Sequence, residues 1–105
     1  MEPKQSISQT ASLLKEPFQH LPMGCVDDCC VYLTRLEEAY PHHQHPKDAM
    51  HLVLEGGIAI DYADGPTVPL RAVESPVVRA GERHRSRSET GALVLRFKAW
   101  DMFAQ

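Results

Sequence analysis

The sequence predicts an all-β domain, a small sandwich or barrel, and three observations carry that prediction. Its apolar residues fall in runs too short for long helices. The runs are rich in Val, Leu, Ile and Tyr, whose side chains suit a pleated, half-buried surface. Between them stand Gly, Pro and Asp-Gly, the residues that turn a chain tightly. A chain of 105 residues suits one domain with a single modest core.

In chain order, residues 1–18 are polar and read as an N-terminal arm with one helix-capable stretch, Ser8 to Lys15. Residues 19–105 are left for the domain, with strand patterning setting in at about Val26. Residues 30–39 form a strand that leads into a cluster of histidines. The runs 50–55 and 58–63 are expected to make a hairpin across Gly56-Gly57, a two-residue loop whose glycines tolerate positive φ. Asp64-Gly65-Pro66 turns the chain into 67–73, and Pro69 marks that strand as an edge or a bulge. Residues 76–80 and 91–100 complete the set, with Trp100 expected to anchor the closing strand.

Composition removes several classes of function. No apolar run is long enough to span a membrane, and Met1 to Ala11 lacks the pattern of a signal peptide, so a cytoplasmic address is expected. The net charge of −3 argues against a general polyanion-binding surface. Arg79, Arg83, Arg85 and Arg87 crowd one segment. Alternation aims Arg83, Arg85 and Arg87 outward if His84 points in, a solvated face paired with Glu82, Glu89 or a partner subunit. No aromatics are interleaved for base stacking, so no nucleic-acid partner is expected. Cys25, Cys29 and Cys30 cannot all pair within one chain and are expected as reduced, buried thiols. A two-Cys, two-His finger is set aside because Pro41 and Pro46 bracket histidines that a finger would place on a helix. No phosphate loop, nucleophile elbow or paired-carboxylate motif is present.

Chemistry concentrates in "HHQHPKDAMHLVLEGG", residues 42–57, which holds four of the six histidines. In extended backbone His43, His45, Ala49 and His51 share one face and His42 points away. Two imidazoles at i and i+2 can reach one ion from the same side, with nitrogen–zinc bonds of about 2.0–2.1 Å. On spacing alone, a metal site and ordinary loop histidines stand level. The second segment is "VVRAGERHRS", residues 77–86, where an apolar strand runs into a Gly turn followed by His84. A barrel would place a third ligand there, opposite the first two.

With both segments in hand, residues 30–98 resemble the cupin superfamily. "HQHPKDAMHLVLEG" covers the core of the first cupin motif with His43, His45 and Gly56, and "AGERH" covers the core of the second with Gly81 and His84. The resemblance implies a jelly-roll β-barrel, a homodimer, and a divalent transition metal (Fe, Ni, Zn or Mn) held by His43, His45 and His84. The family's motif glutamate falls on Ala49, and its other motif positions fall on Glu37, Val73, Arg79 and Ser88. His51 is the available substitute for the glutamate, as a fourth ligand or as a residue lining the pocket; Asp48 has the wrong parity. Two functions stay open. One is a metal-dependent enzyme, an oxygenase, isomerase or hydrolase acting on a small polar molecule. The other is a non-catalytic barrel that binds or senses a small-molecule ligand. A dimer is also expected because a small barrel leaves strand edges to cover, for which the arm and "CCVYL" are available.

Overall fold

Residues 3–16 and 19–101 are described by the structure, a computed structural model. They run through α1 (Ile7–Ala11), β1 (His20–Val26), β2 (Cys29–Leu36), β3 (Ala49–Tyr62), β4 (Thr67–Arg71), β5 (Val77–Val78), β6 (His84–Arg87) and β7 (Ala92–Ala99). Every strand pairing is antiparallel, in the order β1-β2-β7-β3-β4, with β5 and β6 also on β3. The two sheets share β3 and close as a β-barrel.

The sharing is done by one bulge. From Ala49 to Gly56, β3 pairs with β7 and β5; from Gly57 to Tyr62 it pairs with β4 and β6. The register slips between Val53 and Glu55, and the buried residues change parity, from Ala49, His51 and Val53 to Ile58 and Ile60. A strand that passes from one sheet to another bends at such a bulge. The hairpin expected at Gly56-Gly57 is therefore corrected to one continuous strand of 14 residues. Gly56 is needed for a different reason. Its φ is +77°, and a Cβ there would stand 2.2 Å from the Gly91 carbonyl oxygen. Pro69 sits on β4, which pairs only with β3 among the described residues, so the edge expectation holds.

Strand alternation sorts side chains into two clusters. Inside the barrel, Leu36, Val53, Ile58, Ile60, Val78 and Val94 form an apolar core, and full burial of each such side chain is worth about 1.5–3 kcal/mol. Outside, Leu33 and Leu93 are also buried, covered by Ala11 of α1 and packed with Leu14, Met23, Leu54 and Leu95. Ser6 caps α1 by accepting from the Gln9 amide. Its turn falls across the start of the Ser8–Lys15 stretch and gives the sheet's outer face an apolar cover.

Three further expectations change. The run 20–26 forms β1, although the strand pattern was expected only from Val26. Because β1 pairs with β2 in a hairpin, Cys25 lies directly across from Cys30, and the two form a disulfide. The expected set of reduced thiols is thereby corrected; Cys29 alone is free, and it is exposed rather than buried. Trp100 is 63% exposed and anchors nothing in the core. Among the described residues, no helix is long and apolar enough to cross a membrane.

Candidate metal centre

Between β2 and β3 the chain runs back beside β6 and is tied to it through backbone hydrogen bonds. The Ser88 amide donates to the Glu38 carbonyl and the Tyr40 amide to the Ser86 carbonyl. His43 and His84 then exchange both of their backbone bonds at 2.8 Å, and the Gly81 amide donates to the His45 carbonyl at 2.9 Å. The His-X-His segment and the second motif are thus clamped through the main chain before any side chain takes part. Gly81 makes the turn at φ +82°. Asp48 pins the same turn from outside by accepting from the Ala80 amide and from Arg79.

On this clamp the three imidazoles converge. One nitrogen each from His43, His45 and His84 lies within 4.8 Å of the other two. The Nε2 atoms of His43 and His45 are 3.1 Å apart, inside the range of about 2.9–3.4 Å expected for neighbouring ligands with 2.0–2.1 Å bonds. The opposite nitrogens are held as well. Nδ1–H of His43 donates to the Pro41 carbonyl and Nδ1–H of His84 to the Glu82 carbonyl, both at 2.8 Å. A neutral imidazole that donates from Nδ1 presents a bare lone pair at Nε2, which is how metal-binding histidines are oriented. The residues fit a transition-metal ion.

The electrostatics keep these rings neutral. Burial, and then the Lys98 ammonium, push His45 down to about 4. Burial lowers His43 and His84 against the opposing pull of the carbonyls they bind, with Lys98 and Arg96 adding to the effect. His51 is lowered well below the ordinary range by burial, then by Arg96 and Lys98. His20, which stacks edge-on to Tyr32 and meets Tyr40, is pushed to about 3 by burial and the same two cations.

The structure brings together His43, His45 and His84; His51 does not join that group. It lies inside the barrel, 1% exposed, with Nδ1 3.3 Å from Nη1 of Arg96. His42 stays at the half-exposed surface. Arg85 and Arg87 face outward, yet their main partner is Asp61 on the neighbouring β3 rather than Glu82. Glu89 also pairs with Arg87 as expected. Those two arginines, with Thr67, hold the Asp61 carboxyl far below the usual carboxylate range.

Arg96 and Lys98 are the residues that sequence reasoning missed. Both are buried, at 4% and 8% exposure, on the inward row of β7. In "LVLRFKA" both parities carry apolar residues, Val94 sharing the row of Arg96 and Lys98, and the local pattern does not choose between them. The outer cluster claims Leu93 and Leu95, and that turns Arg96 and Lys98 inward. The barrel interior is consequently apolar at one end and polar at the other, where Thr34, His51, His84, Ser86, Arg96 and Lys98 gather. Beside the triad, a hollow of about 570 Å³ is lined by Gln44, His45, Pro46, Ala80 and Gly81. A second, of about 640 Å³, shares Gln44 and Gly81 and reaches Tyr62, whose ring lies 6.3 Å from that of His84.

Comparison with known proteins agrees with this fold. Residues 33–98 match the family profile described as Cupin domain (Cupin_2). Uncharacterized protein YdbB of Bacillus subtilis (strain 168) is 35% identical over 89 residues, covering 84% of this chain and 79% of YdbB. The crystal structure of a cupin-2 domain containing protein from Shewanella frigidimarina superposes with a TM-score of 0.86 at 20% identity, over 90% of this chain and 93% of that one. Hydroquinone 1,2-dioxygenase from Sphingomonas sp. TTNP3, solved with 4-hydroxybenzoate bound, superposes with a TM-score of 0.70 at 15% identity, over 81% and 68% of the two chains.

Proposed function

The chain belongs to the cupin family, and on that premise we propose that it is a metal-binding cupin, with a divalent transition metal held by His43, His45 and His84 and a small polar molecule bound or transformed there. The convergence of the three imidazoles, with Nδ1 of His43 and of His84 tied to carbonyls, carries the proposal. When bound, an ion on three neutral nitrogens supplies strong Lewis acidity toward a polar group. The chain does the rest: its backbone clamp sets the ring positions, its buried cations keep the rings deprotonated, and its apolar floor bounds the site. Dioxygenation is the reaction class that the structural likeness to hydroquinone 1,2-dioxygenase favours. Ala49, standing where the family motif has glutamate, favours the second reading, a barrel that binds a small molecule without transforming it.

His51 belongs to the wall of the site in this proposal. A guanidinium has only donors, so Nδ1 of His51 must accept from Arg96, and the proton of the neutral ring then sits on Nε2. An Nε2–H donates a hydrogen bond but cannot ligate.

The test is metal analysis of protein purified without a histidine tag, beside two variants. The wild type should carry or take up Fe(II), Ni(II), Zn(II) or Mn(II) in one-to-one ratio at neutral pH. Removing an outer-sphere partner alone costs roughly 10–100-fold in affinity, so His45→Ala should lose more than that, while His42→Ala should lose nothing. A wild type that binds none of the four ions refutes the centre. A homodimer is also part of the proposal, since β1 pairs only with β2 among the described residues and leaves its other edge open. Light scattering at micromolar concentration should give twice the chain mass, and a monomer mass would exclude it.

A further inference from the structure

Arg96 is the most deeply buried charged side chain among the described residues, and it has no counter-ion there. None of the ion pairs between described residues includes Arg96. What surrounds Arg96 is neutral. Nε donates to Thr34 Oγ1 at 3.0 Å, Nη1 to His51 Nδ1 at 3.3 Å and Nη2 to Ser86 Oγ at 3.4 Å, and the Tyr40 ring lies 5.0 Å from Cζ. Such contacts orient a guanidinium without neutralising it, and a buried charge left uncompensated is unfavourable. Three of the five N–H groups are engaged. The two that remain lie one on each terminal nitrogen, the pairing that matches the two oxygens of a carboxylate.

The field around Arg96 has the same sign. Lys98 is two residues on along the same inward row and is itself buried. A divalent ion on neutral imidazoles would raise the positive charge further. Among the described residues, the buried polar side chains at this end of the barrel include two cations and no carboxylate.

We propose that the small molecule of this site is an organic carboxylate, its carboxylate held by the fork of Arg96 and the rest of the molecule facing His43, His45 and His84. The inference deepens the proposed function and rests on one part of it, that the polar end of the barrel is a small-molecule site. Thr34, Ser86 and His51 act as positioning residues for the fork. A guanidinium fork also fits a phosphate, so inorganic phosphate is one arm of the test.

The test titrates full-length protein, metal-loaded and chelator-treated, with acetate and benzoate and with their uncharged counterparts acetamide and benzamide, followed by calorimetry and by the imidazole proton resonances. At least one carboxylate should bind about tenfold or more tightly than its amide, the size of a hydrogen bond to a charged group. Arg96→Gln should erase that preference, and Arg96→Lys, which keeps the charge without the fork, should retain only part of it. Equal binding of acid and amide, no binding of either acid, or stronger binding of inorganic phosphate would each overturn the carboxylate assignment. The wild-type comparison decides even if Arg96→Gln fails to fold. Metal content of the same samples keeps the two proposals apart. Protein that holds metal without preferring the carboxylate loses this inference and keeps the metal centre. Protein that prefers the carboxylate through Arg96 without holding metal loses the centre and keeps this inference.

Discussion

Ala49 and His51 occupy neighbouring inward positions on β3, both buried, and together they determine the charge of the centre. With alanine at the first position the proposed ligand set has no anion. With Arg96 bonded to the second, His51 has no lone pair left for an ion. Two substitutions follow at this scale. Ala49→Glu puts a carboxylate on the row that faces the barrel, and competition against a chelator should show tighter metal binding. His51→Ala should leave metal in place and weaken small-molecule binding, because Arg96 loses the group that aims its Nη1. A loss of metal comparable to that of His45→Ala would instead make His51 a ligand.

Among the elements, β3 carries the architecture. It is long because one strand serves two sheets, and it can do so only if the chain bends at Gly56 while Gly91 of the opposite loop passes close by. Gly56→Ala meets both obstacles, a φ of +77° and a carbonyl oxygen 2.2 Å from the new Cβ. The backbone strain alone is worth about 1–3 kcal/mol, and the clash adds to it. Gly91→Ala meets only the first, since at φ +90° its Cβ would find no atom within 4 Å. Urea unfolding should therefore rank the variants wild type, Gly91→Ala, Gly56→Ala in falling midpoint. Equal midpoints for the two variants would show that the close approach contributes nothing.

For the whole molecule, the buried histidines link stability to pH. His20 in the folded barrel is pushed to about 3 and His45 to about 4, against about 6.5 in the unfolded chain. Between those values the unfolded state binds more protons, so stability rises with pH. The full contribution is present above about pH 6.5 and is lost as pH falls toward the folded values. Chelator-treated protein should show a thermal midpoint that declines steadily from pH 7 to pH 4. His20→Gln, outside the triad, should make that decline shallower. A midpoint flat across this window would mean that the imidazoles protonate in place without cost.

Local pattern was enough for the strand-rich class, the edge character of Pro69 and the grouping of His43, His45 and His84. Alternation along a strand and a glycine turn are short-range properties, fixed by covalent geometry wherever the segment ends up. The continuity of β3, the Cys25–Cys30 pairing and the inward turn of Arg96 and Lys98 depended on partners distant in sequence. Two glycines read locally as a hairpin become a bulge only when β7 and β4 share the strand. Two cysteines meet only because β1 and β2 pair in register. On β7, both faces offered apolar residues, and the choice of inside was made elsewhere. Ala11 and Leu14 cover Leu33, Leu93 and Leu95 on the outer side, so burying that face sends the two cations into the barrel. Covalent geometry and residue order set which residues could share a face. Tertiary packing decided which face was the interior, because burial is a property of what lies opposite.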